Sequence, residues 1–147
     1  MFDSRTVALI LRQKGKQIRH VTLPAAAHVY DVSKGKYLGK VNKFSFELEP
    51  AVGRVFAVSS VKAPVPAVSG PSSLAYCKAA DFKIKGVSNP CHVTITAPDG
   101  KTVLEKNVSA DGTFRFVPSL ELPAGTYKID VRNVISGSVK TIKATLK

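Results

Sequence analysis

The amino-acid sequence predicts an all-β protein of two small antiparallel β-sandwich modules in tandem. Three observations carry that expectation. Apolar residues recur with period two, turn residues interrupt them at short intervals, and one proline-rich stretch divides the chain. The alternation is plainest in Lys43-Phe44-Ser45-Phe46-Glu47-Leu48-Glu49, in His92-Val93-Thr94-Ile95-Thr96 and in Thr126-Tyr127-Lys128-Ile129-Asp130-Val131-Arg132. A period of two puts one face of a strand in a core and the other in water. No window of helical length carries an i, i+3, i+4, i+7 apolar stripe with caps.

Taken in order, the first part of the chain reads as strands near 6–12, 17–23, 27–32, 36–38, 43–49 and 53–58. Lys14-Gly15-Lys16 and Lys34-Gly35-Lys36 supply corners where glycine admits a positive φ. Val61 to Ser73 carries Pro64, Pro66 and Pro71 and reads as a stiff extended linker, residues 63–73, running into an edge strand. Beyond it, strands are expected near 66–69, 74–76, 80–86, 92–97, 101–108, 112–118 and 126–133, with 138–146 closing the unit. Asp99-Gly100 and Asp111-Gly112 are hairpin signals, and Ala124-Gly125 and Ser136-Gly137 mark further corners. The expected organisation is therefore a β-sandwich over 1–62, a linker over 63–73 and a second sandwich over 74–147. About seven strands in some 80 residues make the second unit immunoglobulin-like in architecture. The Cys…Trp…Cys core of antibody domains is absent, since the chain has no Trp. The first unit is short for a free-standing sandwich and reads as truncated.

The net charge of +12 raises nucleic acid or another anionic polymer as a partner. The distribution argues against it. Residues 1–62 hold 11 Lys/Arg against 4 Asp/Glu, an excess of 7, and residues 63–147 hold 11 against 6, an excess of 5. The tightest cluster, Arg12, Lys14, Lys16 and Arg19, straddles Gly15 and reads as a hairpin tip. Lysines on the solvent faces of strands also discourage edge-to-edge pairing. No apolar run approaches the roughly 18–20 residues that span a bilayer, so no membrane partner is expected. Neither the charged n-region nor the small-residue cleavage site of a signal peptide is present.

The residues offer little chemistry. Paired general acid and base catalysis needs two carboxylates brought together in a cleft. Asp81, Asp99, Asp111, Glu121 and Asp130 fall in turns or on solvent faces, and Glu47 and Glu49 share an outward face. Asp31, at a strand end between Tyr30 and Val32, reads as a local turn or cap acceptor. There is no Gly-x-Ser-x-Gly elbow. Gly35 to Lys40 resembles half of a phosphate loop but lacks its Ser/Thr, spacing and helix. His20, His28 and His92 are not at ligand spacing with the two cysteines, so no metal or cofactor is expected. For Cys77 and Cys91, a disulfide and two unpaired thiols are both open readings. Asn107-Val108-Ser109 matches a glycosylation sequon by pattern alone. Sugar-binding surfaces stack rings on flat exposed aromatics, and here the candidates are Tyr37, beside Gly35 and Gly39, and Tyr127, at the head of a strand. For Tyr127 the competing reading is a tyrosine at the core edge with its hydroxyl bonded to backbone.

One stretch is more specific than the rest. It runs from Val21-Thr22-Leu23-Pro24 through His28-Val29-Tyr30-Asp31-Val32-Ser33-Lys34-Gly35-Lys36-Tyr37-Leu38-Gly39-Lys40 to Phe46-Glu47-Leu48-Glu49-Pro50 and Gly53-Arg54-Val55-Phe56-Ala57-Val58. It resembles the C-terminal all-β domain that follows the catalytic barrel in large bacterial glycoside hydrolases of β-galactosidase-like type. The second unit, through Pro98-Asp99-Gly100-Lys101 and Pro123-Ala124-Gly125-Thr126-Tyr127, is similar to the Ig-like domain often appended to them. The resemblance spans residues 5–60 and, more loosely, 80–147. In that family the catalytic carboxylates lie in the barrel, so none carries over to a residue of this chain.

The resemblance implies a non-catalytic accessory region of a polysaccharide-degrading enzyme, extracellular or periplasmic, with an upstream catalytic domain of the same polypeptide as partner. It predicts an apolar patch on residues 1–60. The first alternative is an independent carbohydrate-binding module, with polysaccharide as partner. The second is a basic adaptor whose hold on an anionic polymer weakens with salt.

Overall fold

Among the described residues, every regular element is a β-strand apart from one 3₁₀ turn. The computed structural model describes residues 15–147, and residues 5–9 by their backbone alone. The chain divides into two units, one reaching to Ala63 and including Ile135–Gly137, the other made of Pro64–Val134 and Ser138–Lys147.

The first unit holds β1 (Arg5–Leu9), β2 (Gln17–Asp31), β3 (Lys36–Leu48) and β4 (Arg54–Ser59), hydrogen-bonded in the order β1-β4-β2-β3 with every pair antiparallel. Where the sequence predicts four short strands between 17 and 49, the chain forms two long ones. In β2 the difference lies at Pro24. Lacking an N–H, it interrupts the alternation and reads as a strand end, but the strand continues through it as a bulge. Thr22 pairs with Lys43 and Ala27 with Val41, so β2 advances five residues while β3 advances two. Surplus residues on one strand bend it and increase its twist.

The bend has a visible result. Strands β3 and β4 are not neighbours in the sheet, yet the Phe56 ring lies 5.0 Å from Phe44 and 4.6 Å from Phe46, centroid to centroid. The outer half of the β2–β3 ribbon therefore folds over β4, and the single sheet presents two layers to one another across these three rings. Asp31 caps the 3₁₀ turn Val32–Lys34 by accepting from Lys34 N–H at 3.1 Å, and Gly35 closes it at φ 60°. That is the local role expected of Asp31 and the corner expected of Gly35. The basic hairpin tip includes Arg12 and Lys14, and the first expected strand includes residues 10–12. These positions lie outside the described residues.

The second unit is a two-sheet sandwich. Its strands are β5 (Ala67–Ser69), β6 (Ser73–Leu74), β7 (Ala80–Lys85), β8 (Cys91–Thr96), β9 (Thr102–Val108), β10 (Thr113–Phe116), β11 (Gly125–Asn133) and β12 (Val139–Leu146). One sheet runs β10-β7-β5 and the other β6-β12-β11-β8-β9. All pairs are antiparallel except the two-residue β6–β12 pair. The period-two residues form the core: Phe82 and Ile84 from β7, Phe114 and Phe116 from β10, Val93 and Ile95 from β8, Tyr127, Ile129 and Val131 from β11, with Leu146 from β12. Phe82 and Phe114 are cross-strand partners, stacked 5.0 Å apart at 12°.

Residues 63–73, expected as a linker running into an edge strand near 66–69, contain that strand. Ala67–Ser69 is an edge strand paired with Lys85, Ile84 and Lys83 of β7. A strand of three residues flanked by Pro66 and Pro71 suits an edge, where missing donors cost nothing. Gly70 is required here because a Cβ at that position would overlap the Phe82 ring.

Candidate functional site

The four tyrosines bear directly on sugar binding, and all turn inward. Tyr127, a candidate from the sequence, is fully buried and donates its hydroxyl to Pro123 O at 2.8 Å. It is a core-edge tyrosine of the backbone-bonded kind, and burial pushes its pKa up. Tyr37, the other candidate, is half-buried. Its hydroxyl is 2.6 Å from His28 Nδ1, Tyr30 packs 4.9 Å from its ring centroid, and Lys62 Nζ stands over the ring at 5.4 Å. These neighbours engage its hydroxyl and pack against its ring. Tyr30 is buried and accepts from Ala63 N–H at 2.7 Å, and Tyr76 donates to Leu122 O at 3.2 Å. Neither candidate therefore presents an open platform.

Cys77 and Cys91 are both free thiols, so the disulfide left open by the sequence is not formed. Cys77 is exposed at a turn with φ 58°. Cys91 is buried at the start of β8, where burial and, secondarily, the Asp111 charge raise its pKa. A thiol so placed is unreactive.

Among the described residues, the carboxylates form no acid–base pair. Glu47 and Glu49 both reach Lys16, at 2.9 and 3.7 Å, on the outward face expected of them. Asp81 pairs with Arg115 at 2.7 Å, and Asp130 with Lys128 at 2.7 Å and Thr141. His92 lies 2.9 Å from both Asn107 Oδ1 and Glu105 Oε1, which engages the sequon asparagine in a cross-strand contact. Among the described residues, no three His, Cys, Asp or Glu are placed to hold a metal ion. No helix among them is long and apolar enough to cross a membrane.

The sequence reading missed Arg54. Its guanidinium pairs with the buried Asp31 carboxylate, and the two side chains are only 10% and 4% exposed. It also stands 6.0 Å from the Phe46 ring and 5.8 Å from the Phe56 ring, within range of cation–π attraction. The available signal was parity. In Arg54-Val55-Phe56-Ala57-Val58, the arginine shares the inward register of Phe56 and Val58, where an unpaired charge would be costly.

Arg54 borders the feature of the first unit that stands out by its lining, an apolar cleft between the folded-over ribbon and β4. It is walled by Val21 and Leu23 of β2, Phe44 and Phe46 of β3, and Phe56 and Val58 of β4. Val21, Leu23, Phe44, Phe46 and Val58 are half-buried, neither in a sealed core nor in open solvent. The cleft measures about 80 Å³, well short of the roughly 300–1,000 Å³ of small-molecule pockets. It lacks the converging polar groups that orient a sugar. Chemically, it can accept one apolar side chain.

No family model matches the chain, and no curated protein does. Several solved structures resemble it in part. One is a CARDB domain from Pyrococcus furiosus, solved in complex with di-metal ions, at 17% identity over 59% of this chain and 93% of that one, with a TM-score of 0.37. Another is the β-D-glucuronidase of Dictyoglomus thermophilum, at 11% identity over 97% of this chain, with a TM-score of 0.31. The chain spans 36% of that glucuronidase chain.

Proposed function

We propose that this chain is a non-catalytic accessory region of a glycoside hydrolase of the β-galactosidase-like kind, whose first unit packs against the domain that does the chemistry. The observation carrying this reading is the apolar cleft that the described residues form on the first unit, which is lined by side chains suited to a protein contact and not to a sugar. It lies within the stretch whose motifs resemble the C-terminal domain of those enzymes, and an apolar patch there is what that role requires. The inward placement of Tyr37 and Tyr127 weighs against an independent carbohydrate-binding module, which needs exposed flat rings. The partner in this reading is a catalytic domain of the same polypeptide, working outside the cytoplasm as such enzymes do.

Two measurements test it together. The purified chain is assayed on a panel of nitrophenyl glycosides and run through polysaccharide-containing gels. It is expected to hydrolyse none of the glycosides and to migrate unretarded. The coding sequence flanking Met1 is read for a catalytic barrel in frame. Retardation on a polysaccharide, or hydrolysis by the chain alone, would overturn the proposal, as would flanking sequence that encodes no barrel.

A further inference from the structure

We infer that the first unit binds its partner by strand addition, taking up along the free edge of β3 an extended protein segment that alternates apolar and acidic residues. This rests on the accessory reading and names the chemistry of the contact. Three observations support it. First, β3 is the terminal strand of its sheet and pairs only with β2, so over 13 residues one side of its backbone has no strand partner among the described residues. The register shift opposite Val41–Lys43 divides that edge into two arms, and the outer arm, which carries Phe44 and Phe46, is a template for another strand. Second, Phe44 and Phe46 of this same strand wall the apolar cleft. A strand added beside them would place alternate side chains on the cleft side, in reach of that depression. Arg54 also lines the cleft, and its buried Nε has no acceptor among the described residues. A bound backbone or side-chain oxygen would supply one.

The third observation is charge. Over residues 15–63 there are eight Lys/Arg (Lys16, Arg19, Lys34, Lys36, Lys40, Lys43, Arg54, Lys62) and three carboxylates, Asp31, Glu47 and Glu49. All three carboxylates are engaged, Asp31 by Arg54 and the two glutamates by Lys16. Lys36, Lys40 and Lys43 of β3 are exposed and have no carboxylate within ion-pair distance among the described residues. Lysines along an edge repel a second copy of the same edge and attract an acidic one. The complementary strand therefore carries carboxylates on the face opposite its apolar residues.

The probe is a short synthetic peptide alternating leucine and glutamate, with leucine–lysine and leucine–threonine peptides for comparison. It is added to the full chain at low salt and followed by fluorescence anisotropy and amide hydrogen exchange. The leucine–glutamate peptide is expected to bind and to slow exchange in β3 while leaving β11 unchanged. Lys43→Glu, an exposed substitution outside the core, is expected to weaken it about tenfold and to gain affinity for the leucine–lysine peptide. Equal binding of the two charged peptides by the unsubstituted chain would overturn the inference, as would binding without slowed exchange in β3. Sedimentation showing a dimer with β3 already protected would also overturn it, since a second copy would then be the occupant. An inert, sugar-blind chain that ignores the peptide defeats this inference alone. A chain that binds polysaccharide defeats the accessory reading whatever the peptide does.

Discussion

The two units apply one sequence rule to different ends. In both, apolar residues alternate along antiparallel strands. In the second unit two separate sheets meet over them, and 17 buried side chains form one continuous cluster among the described residues. In the first, one sheet supplies both layers by bending, and among the described residues the corresponding cluster holds Tyr30, Ala57 and Ala63, with Val29, Leu48 and Phe56 buried outside it. Its larger rings, Phe44 and Phe46, are half-buried and line the apolar cleft. Alternation thus specifies which face of a strand is apolar. Whether that face is sealed depends on how many strands are available to cover it.

The contrast can be broken from either side. Phe82→Ala removes a fully buried ring stacked on Phe114 and should destabilise the second unit by about 3–5 kcal/mol. Phe44→Ala, at a half-buried position, should cost about 1 kcal/mol, part of the roughly 1.5–3 kcal/mol of full burial. Urea titration followed by amide exchange in each unit separates the two, and equal costs would erase the distinction. Arg54→Leu should weaken the first unit by about 3 kcal/mol, because it strands the buried Asp31 carboxylate without its counter-charge. The β11 amides should report no change. Restoration by Asp31→Asn in the double variant would identify the stranded charge as the cause.

Smaller effects sharpen the comparison. Tyr127→Phe deletes the hydrogen bond to Pro123 O and should lower the stability of the second unit by about 1 kcal/mol, with its core otherwise unchanged in near-ultraviolet spectra. The least effect is expected from acid. Burial tends to raise the pKa of Asp130, but hydrogen bonds from Lys128 and Thr141, with the Lys128 charge, together hold it below the ordinary 3.8. Such a group stabilises the fold above its unfolded-state pKa, and the contribution is lost as pH falls through the lower folded value. Melting temperatures measured downward from neutral pH should therefore fall less in Asp130→Asn than in the parent chain.

Most of the second unit was legible in the sequence. Each expected strand from 80 onward has its counterpart, because an uninterrupted alternation such as His92 to Thr96 has one reading. In the first unit the strands were legible but their joints were not. The expected strands near 17–23 and 27–32 are one strand, β2, which carries Pro24 through a bulge, and no local signal distinguishes a bulge from a break. The candidate site was less legible still. Residue type singles out Tyr37 and Tyr127, and only tertiary packing shows both to be engaged. The cleft joins Val21, Phe44 and Phe56, which are far apart in sequence and meet only because the sheet bends.

That bend has a consequence for how the chain tolerates change in length. Within a paired stretch of β2, adding or removing one residue would turn every later side chain to the opposite face. Between Thr22 and Ala27 the strand already carries more residues than its partner can match. Insertions there enlarge the corner and leave both arms in register. The corner is therefore the position in β2 where length can drift while Val21 and Val29 keep their faces, and the aperture of the cleft could be retuned without recoding any residue that lines it.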